Sequence, residues 1–193
     1  MSAAGPPQGA NSAPLGAAER PLLPPGPQAR GDHTNAGNKA LIERFYAALS
    51  RRDAAAMIVC YHRDATFSDP VFPSLDAAGA AAMWRMLCMR GKDLAVTARD
   101  VDADASRGRA HWTARYTYSA TGRPVVNEID AEFEFRDGLI HRHRDRFDLR
   151  SWLAQALGVK GRLLGFLPAV QRATREKAAH ALADWRAGEA RRA

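Results

Sequence analysis

The chain has 193 residues, 46% hydrophobic and 25% charged, which suits one ordinary globular domain with additional segments and leaves no room for a second full one. No run reaches the roughly 18 apolar residues of a membrane-spanning helix, and the N-terminus has neither the basic start nor the apolar stretch of a secretory signal, so the expected setting is cytoplasmic. The formal charge of +7 lies towards the C-terminus and in scattered arginines, and nucleic acid is not an expected partner.

Residues 1–36 are dominated by Ala, Gly and Pro around Pro24-Pro25-Gly26-Pro27, a composition that reads as a disordered leader. From Asn38, the residues Leu41, Ile42, Phe45, Ala48 and Leu49 recur at helical spacing, giving a first helix that ends near Ser50. Asp53 stands at an N-cap position before a second helix, Ala54 to Tyr61. A third runs from about Leu75 to Met89, with Met83, Trp84, Leu87 and Cys88 on its apolar side. Between the last two lies a short strand, Ala65 to Asp69, stopped by Pro70. Cys60 and Cys88 sit in apolar helical segments and read as buried core thiols; no metal site is expected.

After Gly91 the periodicity becomes two, over Leu94–Asp102, Arg109–Ser119, Val125–Arg136 and Leu139–Phe147. Ala120-Thr121-Gly122-Arg123 and Arg136-Asp137-Gly138 carry hairpin chemistry, so these strands form an antiparallel meander. Asp148 can cap a helix from Leu149 to Leu157, which Gly158 ends. Residues 37–157 thus form one domain. Residues 158–193 add a helical extension, apolar at Leu163, Leu164, Phe166 and Leu167, then basic and amphipathic from about Ala169 to Arg186. The fold class is α+β: a cone-shaped, curved antiparallel sheet packed on N-terminal helices and enclosing a pocket.

Two segments carry a resemblance to a known group. Arg44-Phe45-Tyr46-Ala47-Ala48-Leu49, then Asp53, then Asp64-Ala65-Thr66-Phe67-Ser68-Asp69-Pro70 resembles ketosteroid isomerases. Arg144-Asp145-Arg146-Phe147-Asp148-Leu149 resembles the last strand of limonene-1,2-epoxide hydrolase and of many SnoaL-like proteins. Together they resemble the nuclear transport factor 2-like superfamily over about Asn38 to Leu157. That superfamily includes isomerases, epoxide hydrolases, polyketide cyclases and proteins without catalysis.

Strand alternation sorts the side chains. Asn127, Ile129, Ala131, Phe133 and Phe135 share an inner face, leaving Glu128, Asp130, Glu132 and Glu134 in water. Trp112, Ala114, Tyr116 and Tyr118 point inward as well, opposite His111, Thr113, Arg115 and Thr117. Phe147 marks the inner side of the last strand and brings Asp145, His143 and His141 with it. Candidate catalytic residues are therefore Asp69, His143 and Asp145, and candidate pocket walls are Tyr46, Trp84, Trp112, Tyr116, Tyr118, Asn127, Phe133 and Phe147. Trp152 and Trp185 read as packing residues.

The resemblance implies that Asp69 is a general base, which apolar walls would make more basic. The structural alternative is that Asp69 caps the turn before the third helix or pairs with a nearby arginine. Of the enolate-binding donors the resemblance implies, Phe45 takes the tyrosine's place and Ala131 the aspartic acid's. Of the Asp-Arg-Asp set of the epoxide hydrolase, only Asp145 matches, with Trp112 and Ala114 in the other places. The expected function is a cofactor-independent isomerase, cyclase or hydrolase acting on a small apolar molecule. The alternative is a non-catalytic ligand-binding or dimerisation module, a homodimer through the outer sheet face. A third reading gives Gly161 to Arg186 contact with a membrane surface.

Overall fold

The computed structural model describes Met1 and residues 35–192. The leader therefore lies outside the described residues except at its ends. Three helices come first: α1 (Asn35–Ser50), α2 (Ala54–Ile58) and α3 (Ala77–Arg90). Leu41, Ile42, Phe45, Tyr46, Ala48 and Leu49 form the buried side of α1, and the Asn38 amide ties its start to the Asp104 carbonyl at 2.8 Å. Asp53 caps α2 by accepting from the Ala56 N–H at 3.0 Å, and Asp76 caps α3 by accepting from the Gly79 N–H at 2.7 Å.

The strands are β1 (Tyr61–Ser68), β2 (Leu75–Asp76), β3 (Ala95–Ala103), β4 (Arg107–Tyr118), β5 (Arg123–Arg136) and β6 (Leu139–Arg146). They form one curved, unclosed sheet of six strands in the order β2-β1-β6-β5-β4-β3. The long strands β3 to β6 make the expected antiparallel meander, but the sheet as a whole is mixed because β1 pairs with β6 in parallel. This corrects the expectation of a purely antiparallel sheet. The chain leaves β1 through β2 and α3, enters the far edge at β3, and meanders back so that β6 arrives beside β1 running the same way.

Strand β1 also begins four residues earlier than expected, and α2 is correspondingly shorter. The polar run His62-Arg63-Asp64 and a register shift between Tyr61 and Thr66 hide the alternation there. A second irregularity, between Glu134 and Phe135, sets Phe135 opposite Ile140 and skips His141. Ile140 is thus buried, while His141 rests edge-on against His62 at 5.7 Å instead of sharing the inner face.

The inner face meets α1, α2 and α3 in one apolar core that includes Phe45, Phe67, Trp84, Trp112, Ile129 and Phe133. Both cysteines are buried and free. The outer face is charged and internally paired: Arg142 bonds Glu134 and Arg146 bonds Glu132, each at 3.0 Å, and His111 bridges Asp130 and Glu128 at 2.7 and 2.8 Å.

Three helices follow: α4 (Leu149–Leu157), capped by Asp148, α5 (Val159–Leu164) and α6 (Pro168–Ala190). Leu149, Trp152, Leu153 and Ala156 of α4 form a second cluster with Val125, against which Tyr116, Tyr118 and Phe147 pack. Helix α6 folds back on α3. Arg85 grips Glu189 with two bonds of 2.7 and 3.0 Å, Leu182 enters the main core, and Arg175 Nε donates to the Pro70 carbonyl at 2.9 Å. No helix among the described residues is long and apolar enough to cross a membrane.

Candidate active site

Asp69 ends the segment after β1, where Pro70 keeps it extended. Its Oδ1 accepts from the backbone N–H groups of Val71 at 2.7 Å and Phe72 at 2.5 Å, and its own N–H donates to the Phe72 carbonyl at 2.9 Å. One oxygen therefore does cap the turn. The other, Oδ2, makes no hydrogen bond among the described residues. Burial raises the carboxyl pKa to about 6, and the Asp145 charge pushes the same way against the two backbone donors and the nearby His143. Tyr116 is close enough for its phenol to feel the Asp69 charge.

His143 lies at the centre of the inner face, fully buried. Its ring is boxed by aromatics, with centroid distances of 4.4 Å to Phe133, 5.1 Å to Phe67, 5.4 Å to Phe45, 6.1 Å to Tyr61 and 6.2 Å to Trp84. Nδ1 meets the Tyr61 Oη at 2.6 Å and Nε2 meets Asp145 Oδ1 at 2.9 Å. Both nitrogens are taken, so the ring has no polar atom left for a ligand.

Two tryptophans complete the network. Trp84 Nε1 donates to Tyr61 Oη at 3.1 Å, and Trp112 Nε1 donates to Asp145 Oδ1 at 3.4 Å. The Asp145 carboxylate can only accept, so His143 carries a hydrogen on Nε2, and in the neutral imidazole Nδ1 then accepts the Tyr61 hydrogen while the Tyr61 oxygen accepts from Trp84. The run Trp84–Tyr61–His143–Asp145 is thereby ordered in one sense. Asp145 Oδ2 makes no hydrogen bond among the described residues.

Tyr46 reaches the same region from α1. Its ring touches Trp112, with centroids 5.7 Å apart, and its buried Oη has no hydrogen-bond partner among the described residues. Burial and the Asp145 charge hold its pKa well above the usual phenol value, so the group is an O–H donor at neutral pH. Tyr116 Oη accepts from Trp152 Nε1 at 2.7 Å, which leaves its own hydrogen to donate. Asp130 points outward to His111, and Ala131 faces inward opposite Asp145.

Of the expected wall residues, Trp84 and Phe133 belong to the box around His143, Trp112 and Tyr46 flank Asp145, and Tyr116 lies near Asp69. Tyr118 packs edge-on against Trp152 at 5.2 Å, and Phe147 contacts both apolar clusters. Asn127 is half-buried, opposite Ala114. Sequence reasoning passed over Tyr61, which it left in a helix, and the bond from Trp152. Parity carried no signal for the first, because the register shift between Tyr61 and Thr66 breaks the alternation of β1.

Two surface depressions lie elsewhere. One of about 640 Å³ runs between α1 and β3 and includes Tyr46. The other, of about 400 Å³, lies between Val71–Leu75 and α6. Neither is lined by Asp69, His143 or Asp145. No group of three or more potential metal ligands occurs among the described residues.

The SnoaL-like domain family matches residues 42–143, more than half of the chain. The chain belongs to this family. Its match begins inside α1 and ends on His143, so it spans the Asp69 turn and most of the His143 network. No curated protein matches this SnoaL-like chain. Among solved structures it is similar to a Xanthomonas campestris pv. campestris protein provisionally named a polyketide cyclase, at 24% identity and a TM-score of 0.52, over 63% of this chain and 98% of the other. An LEH-like epoxide hydrolase from M. tuberculosis aligns at 19% identity and 0.52, over 69% and 98% of the two chains. TerC, co-crystallised with polyporic acid, aligns at 18% and 0.56, over 63% and 99%. These likenesses establish the shared fold.

Proposed function

We propose that this SnoaL-like chain is a cofactor-independent isomerase, cyclase or hydrolase for a small apolar carbonyl or epoxide compound, with Asp69 as general base. The observation that carries the reading is the Asp69 carboxyl. One oxygen is anchored by two backbone donors, the other is free, and the pKa is raised to about 6. A base poised near neutrality is the requirement for abstracting a proton from carbon or water at ordinary pH.

In the isomerase form of the reaction, Asp69 Oδ2 takes a proton from a carbon beside a carbonyl. The C–H electron pair moves into an enolate whose oxygen accepts a hydrogen bond from a phenol, and the protonated Asp69 returns the proton to a second carbon. Atoms and charge balance without a cofactor. Tyr46, which is buried, and Tyr116, which is half-buried, are phenols with a hydrogen to give. His143 is a positioning residue in this scheme: it holds Asp145, whose charge adds to the basicity of Asp69.

The second reading, a binding or dimerisation module, is favoured by the enclosure of His143 and by depressions that none of Asp69, His143 and Asp145 lines. A thermal-shift screen of apolar ketones, epoxides and polyketide-like aromatics, followed by turnover assays on the hits, separates the two. Turnover lost in Asp69→Asn supports the enzyme; a ligand bound tightly and recovered unchanged supports the binding module.

A further inference from the structure

Helix α5 is packed the wrong way round for a core helix. The side that meets the domain is glycine: Gly161 is buried so closely on α4 that a Cβ would overlap the Leu153 carbonyl, and the following Gly165 is buried too. The side that meets water carries Val159, Leu163, Leu164 and Phe166, which are 75%, 62%, 46% and 54% exposed. Ordinary amphipathic helices bury the large apolar residues and expose the small ones.

The tip is also held in shape. Gly165 N–H bonds the Gly161 carbonyl at 2.8 Å, Leu167 N–H bonds the Leu164 carbonyl at 2.9 Å, and Gln171 Nε2 bonds the Gly165 carbonyl at 3.1 Å. The Arg150 guanidinium sits over the Phe166 ring, 5.8 Å from its centroid. Four large apolar side chains are thus presented outward on a braced turn.

Charge selects the partner. No acidic residue occurs between Asp148 and Glu176, whereas Arg150, Lys160, Arg162, Arg172 and Arg175 do. Lys160 and Arg162 are exposed and make no ion pair among the described residues. We infer that α5 and the turn to Pro168 dock this protein on an anionic lipid surface. The apolar tip enters the headgroup–acyl boundary, within about 5–10 Å of the surface, and the cations lie against the headgroups. A second copy is a poor occupant, because a two-fold contact would set Lys160 and Arg162 against the same cations with no carboxylate to receive them. Helix α6, which the sequence offered as part of the anchor, is instead engaged by α3 through Arg85 and Glu189.

The test is flotation of the full-length chain with phosphatidylcholine vesicles and with the same vesicles containing about 30 mol% phosphatidylglycerol. Wild type is expected to partition at least about tenfold better into the anionic vesicles, and to be released at about 0.5 M salt. Leu163→Ser/Leu164→Ser/Phe166→Ser is expected to lower partitioning by about tenfold or more. Lys160→Gln/Arg162→Gln should lower it by about fivefold for each charge removed. All five positions are exposed, so thermal melts of the variants should match wild type and exclude a folding defect. The inference is overturned if wild type stays with the unbound protein on anionic vesicles, or if the triple variant floats as well as wild type. It is equally overturned if sedimentation shows a wild-type dimer that the triple variant dissociates, which would assign the patch to a second copy.

Discussion

The Tyr61 phenol oxygen lies 2.6 Å from His143 Nδ1, joining the first strand of the sheet to the last through the middle of the aromatic core. The bond spans the parallel pairing of β1 with β6. The Asp145 carboxylate can only accept from His143 Nε2, so in the neutral imidazole Nδ1 accepts the Tyr61 hydrogen, and the Tyr61 oxygen accepts from Trp84 Nε1.

Tyr61→Phe should therefore cost more than one hydrogen bond. It keeps the ring but leaves Trp84 Nε1 and His143 Nδ1 buried without partners, for an expected loss of about 2–3 kcal/mol. In a chain of this size that lowers Tm by about 5–10 °C. A change below about 2 °C in a thermal melt would show that the network contributes little to stability.

Asp69 gives a pH signature of known sign. Its folded pKa of about 6 exceeds the ordinary 3.8, so ionisation opposes folding. At pH values below the ordinary pKa the group is protonated in both states and costs nothing. As pH rises from 3.8 to about 6 the unfolded chain loses the proton first and stability falls; above about 6 the full cost remains. At about 1.36 kcal/mol per pH unit that cost is about 3 kcal/mol. Asp69→Asn, which can keep the bonds from Val71 and Phe72, should raise Tm at pH 7 and flatten the wild-type decline over this range. If Asp69 is also the base, kcat/KM for a substrate found by screening should fall on the acid side with an apparent pKa near 6. Parallel melting curves for the two proteins across that range would contradict the assignment of the titration to Asp69.

The inner faces of β4 and β5 were legible because each residue there obeys simple alternation: Trp112, Ala114, Ile129 and Phe133 are buried, and Glu128, Asp130 and Glu132 are exposed. Placement failed where the register shifts. The irregularity at His141 turned Ile140 inward, and the one between Tyr61 and Thr66 concealed half of β1 and with it the partner of His143. The shared inner placement of His143 and Asp145 was readable from parity. The occupation of both His143 nitrogens was not, because it depends on a residue 82 positions away across a parallel pair. The inverted α5 was also hidden, since a run of glycine and leucine has the same composition whichever side faces the core.

On the outer face, His111 stands between Asp130 and Glu128, which raise its pKa, Glu128 first. Bonding both carboxylates at once requires a hydrogen on each ring nitrogen, so the imidazolium is the stabilised form. The raised folded pKa means this contribution is complete below about 6.5 and disappears as pH rises through the folded value. The site is partly exposed and screened, so the expected size is about 0.5–1 kcal/mol. His111→Gln should be less stable than wild type at acid pH and converge with it in alkaline solution. A constant difference across the titration would show that His111 acts by packing instead of charge.

The seating of α5 can be tested without a membrane. Gly158, with φ of 64°, turns the chain out of α4, and Gly161 then brings α5 back onto the Leu153 carbonyl. A methyl group at Gly161 has nowhere to go, because the obstructing atoms belong to the backbone and cannot rotate aside. Gly161→Ala should therefore push α5 off α4 and cost about 2 kcal/mol or more, although alanine favours helix by about 1 kcal/mol over glycine in open surroundings. Leu163→Ala, on the opposite and exposed side, should change stability by no more than about 0.5 kcal/mol. The ordering is the reverse of that for a core-facing leucine and a solvent-facing glycine. Chemical denaturation of the two variants decides it: a larger loss in Leu163→Ala would mean that α5 turns its leucines towards the domain in solution, and the outward apolar tip would not exist.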